Sequence, residues 1–204
     1  MNPCRDVLTL AATLGLFSAS FCDAQIILDQ SQTSWSGSPR AQGNTSLAET
    51  FTAGVSGTLA HLDLWLARAN AGETNAFLIS ITDTQGGVPG NQLGFASLTS
   101  VHGDYYEWYS IDFLGQSVHL SANHQYALVL SCPGSFNGVL VGASVDDTYT
   151  RGEGMERTGV GAWEPITLIH DLEFQTFMVV PEPGPGILAL LGTLVWVYSK
   201  RRTR

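Results

Sequence analysis

The sequence predicts an all-β protein, specifically an antiparallel β-sandwich of jelly-roll type. Apolar and polar residues alternate with a period of two in several short stretches, and clusters of Gly, Pro, Asn and Ser separate these stretches. No stretch between the two ends of the chain shows a helical period with caps. Many short strands divided by turn signals are typical of sandwiches.

The composition fits this class and excludes several others. Of the 204 residues, 44% are hydrophobic, 13% are charged and 22 are Gly. A long disordered chain would be poor in apolar residues, and 3 Cys are too few for a cysteine scaffold. The formal net charge of -9 argues against a nucleic-acid partner, because proteins that bind nucleic acid are normally basic.

The first 24 residues have the layout of a signal peptide. Arg5 precedes an uncharged, mostly apolar stretch at 7–21, and small residues stand three and one positions before a cut after Ala24. We therefore expect an N-terminal helix that is removed by cleavage between Ala24 and Gln25. Two alternatives stay open: lipoprotein processing at Cys22, which the bulky residue before it disfavours, and a buried N-terminal helix.

Residues 25–180 have the length of one domain and carry the strand pattern. In the clearest stretch, Leu62, Leu64 and Leu66 alternate with polar or amphipathic neighbours, which predicts a half-buried strand. Strands are predicted at 26–29, 47–52, 61–66, 77–82, 93–101, 108–113, 125–130, 139–144 and 174–179. This number of strands is enough for two antiparallel sheets that share a core.

The C-terminal segment 181–204 has three parts. Pro181, Glu182 and Pro183 begin a Pro- and Gly-rich stretch that cannot form a regular helix or a central strand. An apolar run at 187–198 follows, which as a helix would be about 18 Å long, shorter than a usual membrane span. The chain then carries a basic flank of Lys200, Arg201, Arg202 and Arg204. Length alone also allows a core helix, but the basic flank favours a short transmembrane helix with its basic end inside, because Lys and Arg anchor helix ends at the headgroups.

This tail resembles the PEP-CTERM protein-sorting signal, which combines a Pro-Glu-Pro motif, a short hydrophobic helix and an Arg-rich end. The resemblance covers about the last 24 residues and departs mildly from the family at 184–186, where Ser, Thr or Ala is more usual than Gly-Pro-Gly. It implies recognition by an exosortase, a membrane-embedded transpeptidase-like enzyme that processes such tails near the Pro-Glu-Pro motif. It also implies a Gram-negative bacterium that makes extracellular polysaccharide and biofilm or floc material.

The middle segment contains a distinctive order of segments: Glu-Thr-Phe-Thr-Ala-Gly at 49–54, then 59–66, 87–90, 108–113, 120–129, 149–152, 161–163 and 171–174. In this order, which covers most of 45–178, it resembles the choice-of-anchor type of sandwich domain found ahead of bacterial surface-sorting tails. Asn123 stands where the family usually has a turn Gly, which is tolerable because Asn accepts left-handed backbone angles. The resemblance implies a jelly-roll sandwich.

Catalytic motifs are absent from the sequence: there is no His-Glu-x-x-His, Gly-x-Ser-x-Gly or Cys-x-x-Cys, and no phosphate-binding glycine loop. The nearest approach to a nucleophile elbow, around Ser144, lacks the second Gly and has a β context. Cys132 ends an apolar strand and is predicted to be a packed core side chain. His61 and Asp63 share one face of a strand and could hydrogen-bond, although a solvated outer face is the simpler interpretation. We therefore expect no enzymatic activity.

Two kinds of candidate binding site remain. Asp146 and Asp147 adjoin a strand end, and carboxylates together with backbone carbonyls are oxygen ligands suited to Ca²⁺. No EF-hand spacing is present, a hydrated acidic surface is the simpler interpretation, and no other cofactor is expected. The second kind is a set of aromatic side chains that could stack on sugar rings, although a sandwich core also uses aromatic residues. These candidates are Tyr105, Tyr106, Trp108, Tyr149 and Trp163.

Three functions from different classes follow. The favoured one is an exported structural or adhesive protein, anchored in the inner membrane as a precursor and then sorted to the cell surface or extracellular matrix. Its partners would be the secretion machinery, the membrane and an exosortase. The alternative is a carbohydrate-binding module for matrix exopolysaccharide, acting through the aromatic residues. The third is a glycan hydrolase, which would need two facing carboxylates at ~5–9.5 Å, and the sequence singles out no such pair.

Overall fold

A computed structural model describes residues 24–69, 77–99, 101–102, 104–132 and 138–181. Ile26–Val180 form one compact unit. The expected signal-peptide stretch up to residue 23 and the expected transmembrane helix at 187–198 lie outside the described residues. In the part of the chain that is described, no helix has the length and apolar character needed to cross a membrane.

The described residues are built almost entirely from β-strands, with one 3-10 helix at Leu114–Gln116. In chain order the strands are β1 (Ala24–Gln32), β2 (Arg40–Ala41), β3 (Thr45–Thr52), β4 (Gly57–Arg68), β5 (Phe77–Gln85), β6 (Val88–Leu98), β7 (Glu107–Asp112), β8 (His119–Leu120), β9 (Gln125–Ser131), β10 (Val139–Val141), β11 (Ala143–Ser144), β12 (Gly154–Thr158), β13 (Glu164–Pro165), β14 (Asp171–Leu172) and β15 (Phe174–Pro181). The prediction of an all-β chain is confirmed for these residues.

The strands form two main antiparallel sheets. The front sheet has the order β1-β15-β4-β10-β2, and β7 and β8 also pair with β4. The back sheet has the order β13-β12-β3-β9-β5-β6, while β11 and β14 form a short ladder of their own. The sandwich can be described by eight strands, numbered one to eight in chain order: β1, β3, β4, β5, β6, β7, β9 and β15. With this numbering, the order of strands across the front sheet is 1-8-3-6, and across the back sheet it is 2-7-4-5. This interleaving of two four-stranded sheets is a jelly-roll-like β-sandwich.

Alternation along the strands builds one core between the sheets. Leu62, Leu64 and Leu66 of β4 are buried, as the sequence predicted. They belong to a single apolar cluster that contains residues of both sheets. Phe51 of the back sheet meets Phe174 of the front sheet with ring centroids 5.7 Å apart. Burial of each such side chain stabilises the fold by roughly 1.5–3 kcal/mol, so this core holds the two sheets together.

The predicted strands are observed, but the strand expected at 93–101 is displaced. It begins earlier, at Val88, and ends at Leu98. Gly86 and Gly87 have φ of 64° and 85°, so they close a tight hairpin turn and the chain pairs with β5 immediately after it. The turn between β5 and β6 is therefore confined to two residues.

Two other departures have local causes. The strand expected at 139–144 is divided at Gly142 into β10 and β11, which join different ladders. Strand β12 was not predicted, because its sequence has no clear alternation; Met155 packs instead in a small cluster on the outer face of the back sheet. At Asn123 the expectation is confirmed, since its φ of 64° is the left-handed conformation.

Candidate functional site

The outer face of the front sheet carries the most distinctive group of side chains. The alternation that buries Leu62, Leu64 and Leu66 turns Trp65 of β4 to the opposite face. In the antiparallel register of β4 with β7, Trp65 lies directly opposite Trp108. Residues opposite each other in such a pair are in side-chain contact, so the register brings two indoles together.

Four rings form what we call the aromatic cluster: Trp35, Trp65, Tyr106 and Trp108. The ring centroids of Trp65 and Trp108 are 5.2 Å apart, and those of Trp65 and Tyr106 are 6.2 Å apart with nearly parallel planes. Trp35, from the segment after β1, extends the row, with its centroid 5.5 Å from that of Tyr106. Trp35 and Trp108 remain 59% and 40% exposed, so the cluster presents ring surface to solvent.

Trp35 is held on this row by main-chain bonds to β11. The amides of Ser36 and Gly37 both donate to the carbonyl of Ala143, at 2.8 Å each. The amide of Val145 donates to the hydroxyl of Ser36 at 2.9 Å. These bonds fix the segment that carries Trp35, so the indole is part of the folded structure and not of a free terminus.

Glu173 lies beneath the aromatic cluster and is only 2% exposed. Its amide donates to the carbonyl of Gly142, whose own amide donates to the carbonyl of Trp65, each at 2.7 Å. A Cβ atom at residue 142 would collide with both Glu173 Oε2 and Trp65 Cδ1. The absence of a side chain there lets the carboxyl group and the indole converge, and Glu173 Oε2 has no hydrogen-bond partner.

Burial changes the acidity of two groups at this site. Loss of water contact raises the pKa of Glu173 from 4.5 to about 7. Burial also raises the pKa of Tyr106, and the nearby charge of Glu173 adds to that effect. Glu173 can therefore change its protonation state close to neutral pH.

The aromatic cluster combines ring faces with one carboxyl group, which are the elements of a sugar-recognition surface. Aromatic faces stack on the apolar C–H faces of sugar rings, and a few polar groups among them fix the orientation of a ligand. The cluster offers a row of rings with a carboxyl group beneath it. None of these groups is a nucleophile paired with a base, which nucleophilic catalysis requires.

The five aromatic candidates from the sequence do not form one site. Tyr106 and Trp108 belong to the cluster, whereas Tyr105 is 83% exposed beside it. Tyr149 is buried: its hydroxyl donates to Gln30 Oε1 at 2.8 Å, its ring packs edge-on against a core phenylalanine, and burial raises its pKa. Trp163 belongs to the small cluster on the back sheet, where the Arg157 guanidinium lies 4.4 Å from its ring centroid.

The remaining candidates are also dispersed. Asp146 and Asp147 are exposed in the turn after β11, and among the described residues no three His, Cys, Asp or Glu side chains are grouped to hold a metal ion. Ser144 lies within β11 and not at a strand-to-helix elbow. Cys132 is buried in the core, as expected. On the outer face of β4, the His61 ring stacks on Phe177 with centroids 4.2 Å apart.

Sequence reasoning did not select Trp35, Trp65 or Glu173. Trp65 had a visible signal, because it stands on the outward side of a clearly alternating strand. The positions of Trp35 and Glu173 depend on contacts between segments that are distant in the chain. Composition and side-chain alternation do not predict such contacts. Glu173 in particular lies near Trp65 and Tyr106, which are distant from it in the chain.

Comparison with known proteins adds no relative. No protein-family model matches the chain, and no curated protein matches it significantly. A functional assignment therefore depends on the residues of this chain alone.

The raised pKa of Glu173 predicts a pH-dependent stability. In the unfolded chain the carboxyl group loses its proton near pH 4.5, but in the folded protein it does so near pH 7. The folded state thus holds an extra proton between these values, and stability falls as pH rises through them. Glu173→Gln removes this effect, so between about pH 5 and 8 the wild type should lose about 1–3 kcal/mol more unfolding free energy than the variant.

Urea denaturation at a series of pH values measures this difference. Glu107→Gln, at an exposed position of β7, is the matched control and should keep the wild-type pH dependence. Parallel curves for the wild type and Glu173→Gln would show that the carboxyl group is hydrated and not buried as described.

Proposed function

We propose that this chain is an exported bacterial cell-envelope or extracellular-matrix protein whose segment 181–204 is a PEP-CTERM sorting signal. One observation carries the proposal: strand β15, the last of the sandwich, ends at Pro181, the first residue of the Pro-Glu-Pro motif. The compact unit Ile26–Val180 thus ends immediately before the motif.

The proposal includes the route of the chain. The first 24 residues direct it to the secretion machinery and are removed between Ala24 and Gln25. The apolar run at 187–198 then anchors a precursor in the inner membrane of a Gram-negative bacterium, with the basic residues inside. An exosortase processes the tail and releases the sandwich to the surface or matrix.

Processing of the tail can be tested in a host that carries an exosortase. Glu182→Ala, or deletion of 200–204, should leave unprocessed precursor in the membrane fraction, because the first removes the acid of the motif and the second the cations that orient the helix. Immunoblotting of membrane and medium fractions measures this. Glu164→Ala, at an exposed position in β13, is the control and should be processed normally. Normal processing of both tail variants would overturn the assignment.

The sandwich itself is proposed to be non-catalytic and structural or adhesive, of the choice-of-anchor type. A jelly-roll-like fold with a large shared core is a stable carrier for such a role. A second function, carbohydrate binding, is favoured by the aromatic cluster. Its rings are partly exposed, lie in one row and are fixed by strand pairing and main-chain bonds. Matrix exopolysaccharide is the ligand class that such a row fits.

Carbohydrate binding predicts a specific pattern of variants. Trp108→Ala should weaken binding to the native matrix polysaccharide by about tenfold or more, equal to ~1.4 kcal/mol, because it removes one of the two exposed indole rings of the cluster. Tyr105→Ala should bind like the wild type, since Tyr105 is exposed but lies outside the row. Isothermal calorimetry or affinity electrophoresis measures both. Absence of binding by the wild type would leave the purely structural role.

A further inference from the structure

The outer face of the front sheet continues beyond the aromatic cluster along β4. Side chains two positions apart on a strand point to the same side, so Asp63 and His61 share a face with Trp65. All three residues are half-buried, as expected on the solvent-facing side of a sheet. The aromatic cluster is therefore one end of a longer surface that follows β4.

A second group of rings lies on this face. His61 of β4 is directly opposite Phe177 of β15, and their rings stack with centroids 4.2 Å apart and planes inclined by 17°. Both are half-buried, and we call them the His61–Phe177 pair. Trp65 and His61 are four positions apart in β4, so a rise of ~3.3 Å per residue places their Cα atoms about 13 Å apart. Two separate ring groups thus lie along one strand.

Polar side chains occupy the position between the two ring groups. In the register of the sheet, Asp63 lies opposite Ser110 of β7 on one side and opposite Gln175 of β15 on the other. Gln175 Nε2 donates to Ser31 Oγ of β1 at 3.1 Å, so this polar row crosses four strands. Asp63 Oδ1 makes no hydrogen bond within the described part of the chain. Carboxylate, amide and hydroxyl groups of this kind can bind the hydroxyl groups of a sugar, which both donate and accept.

The charges along β4 favour an uncharged ligand. Asp63 lies in the polar row, and Asp112 of β7 lies directly opposite His61. Arg40 is on the same face of the sheet, but it belongs to β2, two strands away from β4. The whole chain has a formal net charge of -9. A glycan that carries uronate or sulfate groups would therefore be repelled by this face, whereas a neutral glycan would not.

The middle of the face also distinguishes between classes of partner. The core of a protein–protein interface is depleted of charged residues. Here the position between the ring groups is held by Asp63, flanked by Ser110 and Gln175, and the rings lie at the two ends. Rings separated by hydrogen-bonding groups instead suit a ligand that alternates apolar C–H faces with hydroxyl groups, as a glycan chain does.

We propose that the outer face of the front sheet binds one uncharged glycan chain lengthwise along β4, from the aromatic cluster across Asp63 to the His61–Phe177 pair. The inference rests on the carbohydrate binding proposed above, to which it adds a second subsite and a ligand class. A single sugar ring is smaller than the distance between the two ring groups. A ligand that contacts both groups is therefore an oligosaccharide or a polysaccharide, and its hydroxyl groups meet the polar row between them.

A length series of neutral oligosaccharides tests the second subsite. The probes are made by partial hydrolysis of the neutral fraction of the native matrix polysaccharide, and calorimetry measures their binding to the purified full chain. Wild-type affinity should rise with length until one chain spans both ring groups. Phe177→Leu keeps an apolar side chain but removes the flat ring, so it should weaken the long chains by about three- to tenfold. It should leave unchanged the short chains, which reach the aromatic cluster alone.

Phe95→Leu is the matched control and should bind every length like the wild type, because Phe95 is 49% exposed on β6 of the back sheet. A loss confined to long chains cannot come from misfolding, which would weaken short chains as well. An equal effect of Phe177→Leu on short and long chains, or no effect on either, would overturn the second subsite and leave carbohydrate binding at the aromatic cluster intact. Failure of the wild type to bind any neutral chain would overturn both and leave a protein as the partner of this face.

Separation of the native polysaccharide into neutral and acidic fractions tests the ligand class. The wild type should bind the neutral fraction more tightly, and added salt should reduce this preference by screening the repulsion. Asp63→Asn keeps the shape of the side chain without its charge and should reduce the preference by up to about fivefold. Glu164→Gln, at an exposed position of β13 on the back sheet, should keep it. Tighter binding of the acidic fraction by the wild type would contradict the assignment of an uncharged ligand.

Discussion

The pairing of β4 on both of its edges is the constraint on which the rest of the structure depends. One edge pairs with β15 and the other with β7, over overlapping stretches of the strand. The side-chain alternation of β4 then has two consequences at once. Its leucines fill the core against the back sheet, and Trp65 is placed on the outer face between Trp108 and the Glu173 region. Stability and the candidate binding surface come from opposite faces of one strand.

The three buried acids among the described residues, Glu49, Asp171 and Glu173, lie in two different settings. Glu173 lies under aromatic rings on the outer face, where a neutral carboxyl group can persist near pH 7. Glu49 and Asp171 lie together, so one cannot ionise without affecting the other. The same short stretch at the end of the fold, from β14 into β15, supplies both Asp171 and Glu173. It also reaches the Pro-Glu-Pro motif, which links the folded unit to the proposed sorting tail.

The sequence predicted the strands and turns better than the contacts between strands that are distant in the chain. The alternation of Leu62, Leu64 and Leu66 predicted their strand, because burial on one face requires a period of two. Asn123 predicted its turn, because few residues accept a left-handed backbone conformation. Tyr149 was predicted as a ligand-binding residue yet is buried, because Gln30, remote in the chain, accepts its hydroxyl. Partners of this kind are set by register between distant strands, which a single sequence does not encode visibly. The contact between Trp65 and Trp108 and the burial of Glu49 also depend on the register between distant strands, so the sequence did not predict them.

Circular dichroism of the two facing indoles tests the central constraint most directly. Trp65 and Trp108, with centroids 5.2 Å apart and planes inclined by 48°, should give an exciton couplet in the far ultraviolet. Trp65→Phe and Trp108→Phe should each abolish it to the same extent, while Trp163→Phe on the back sheet should preserve it. A couplet that survives either substitution, or that is absent from the wild type, would contradict the pairing of β4 with β7.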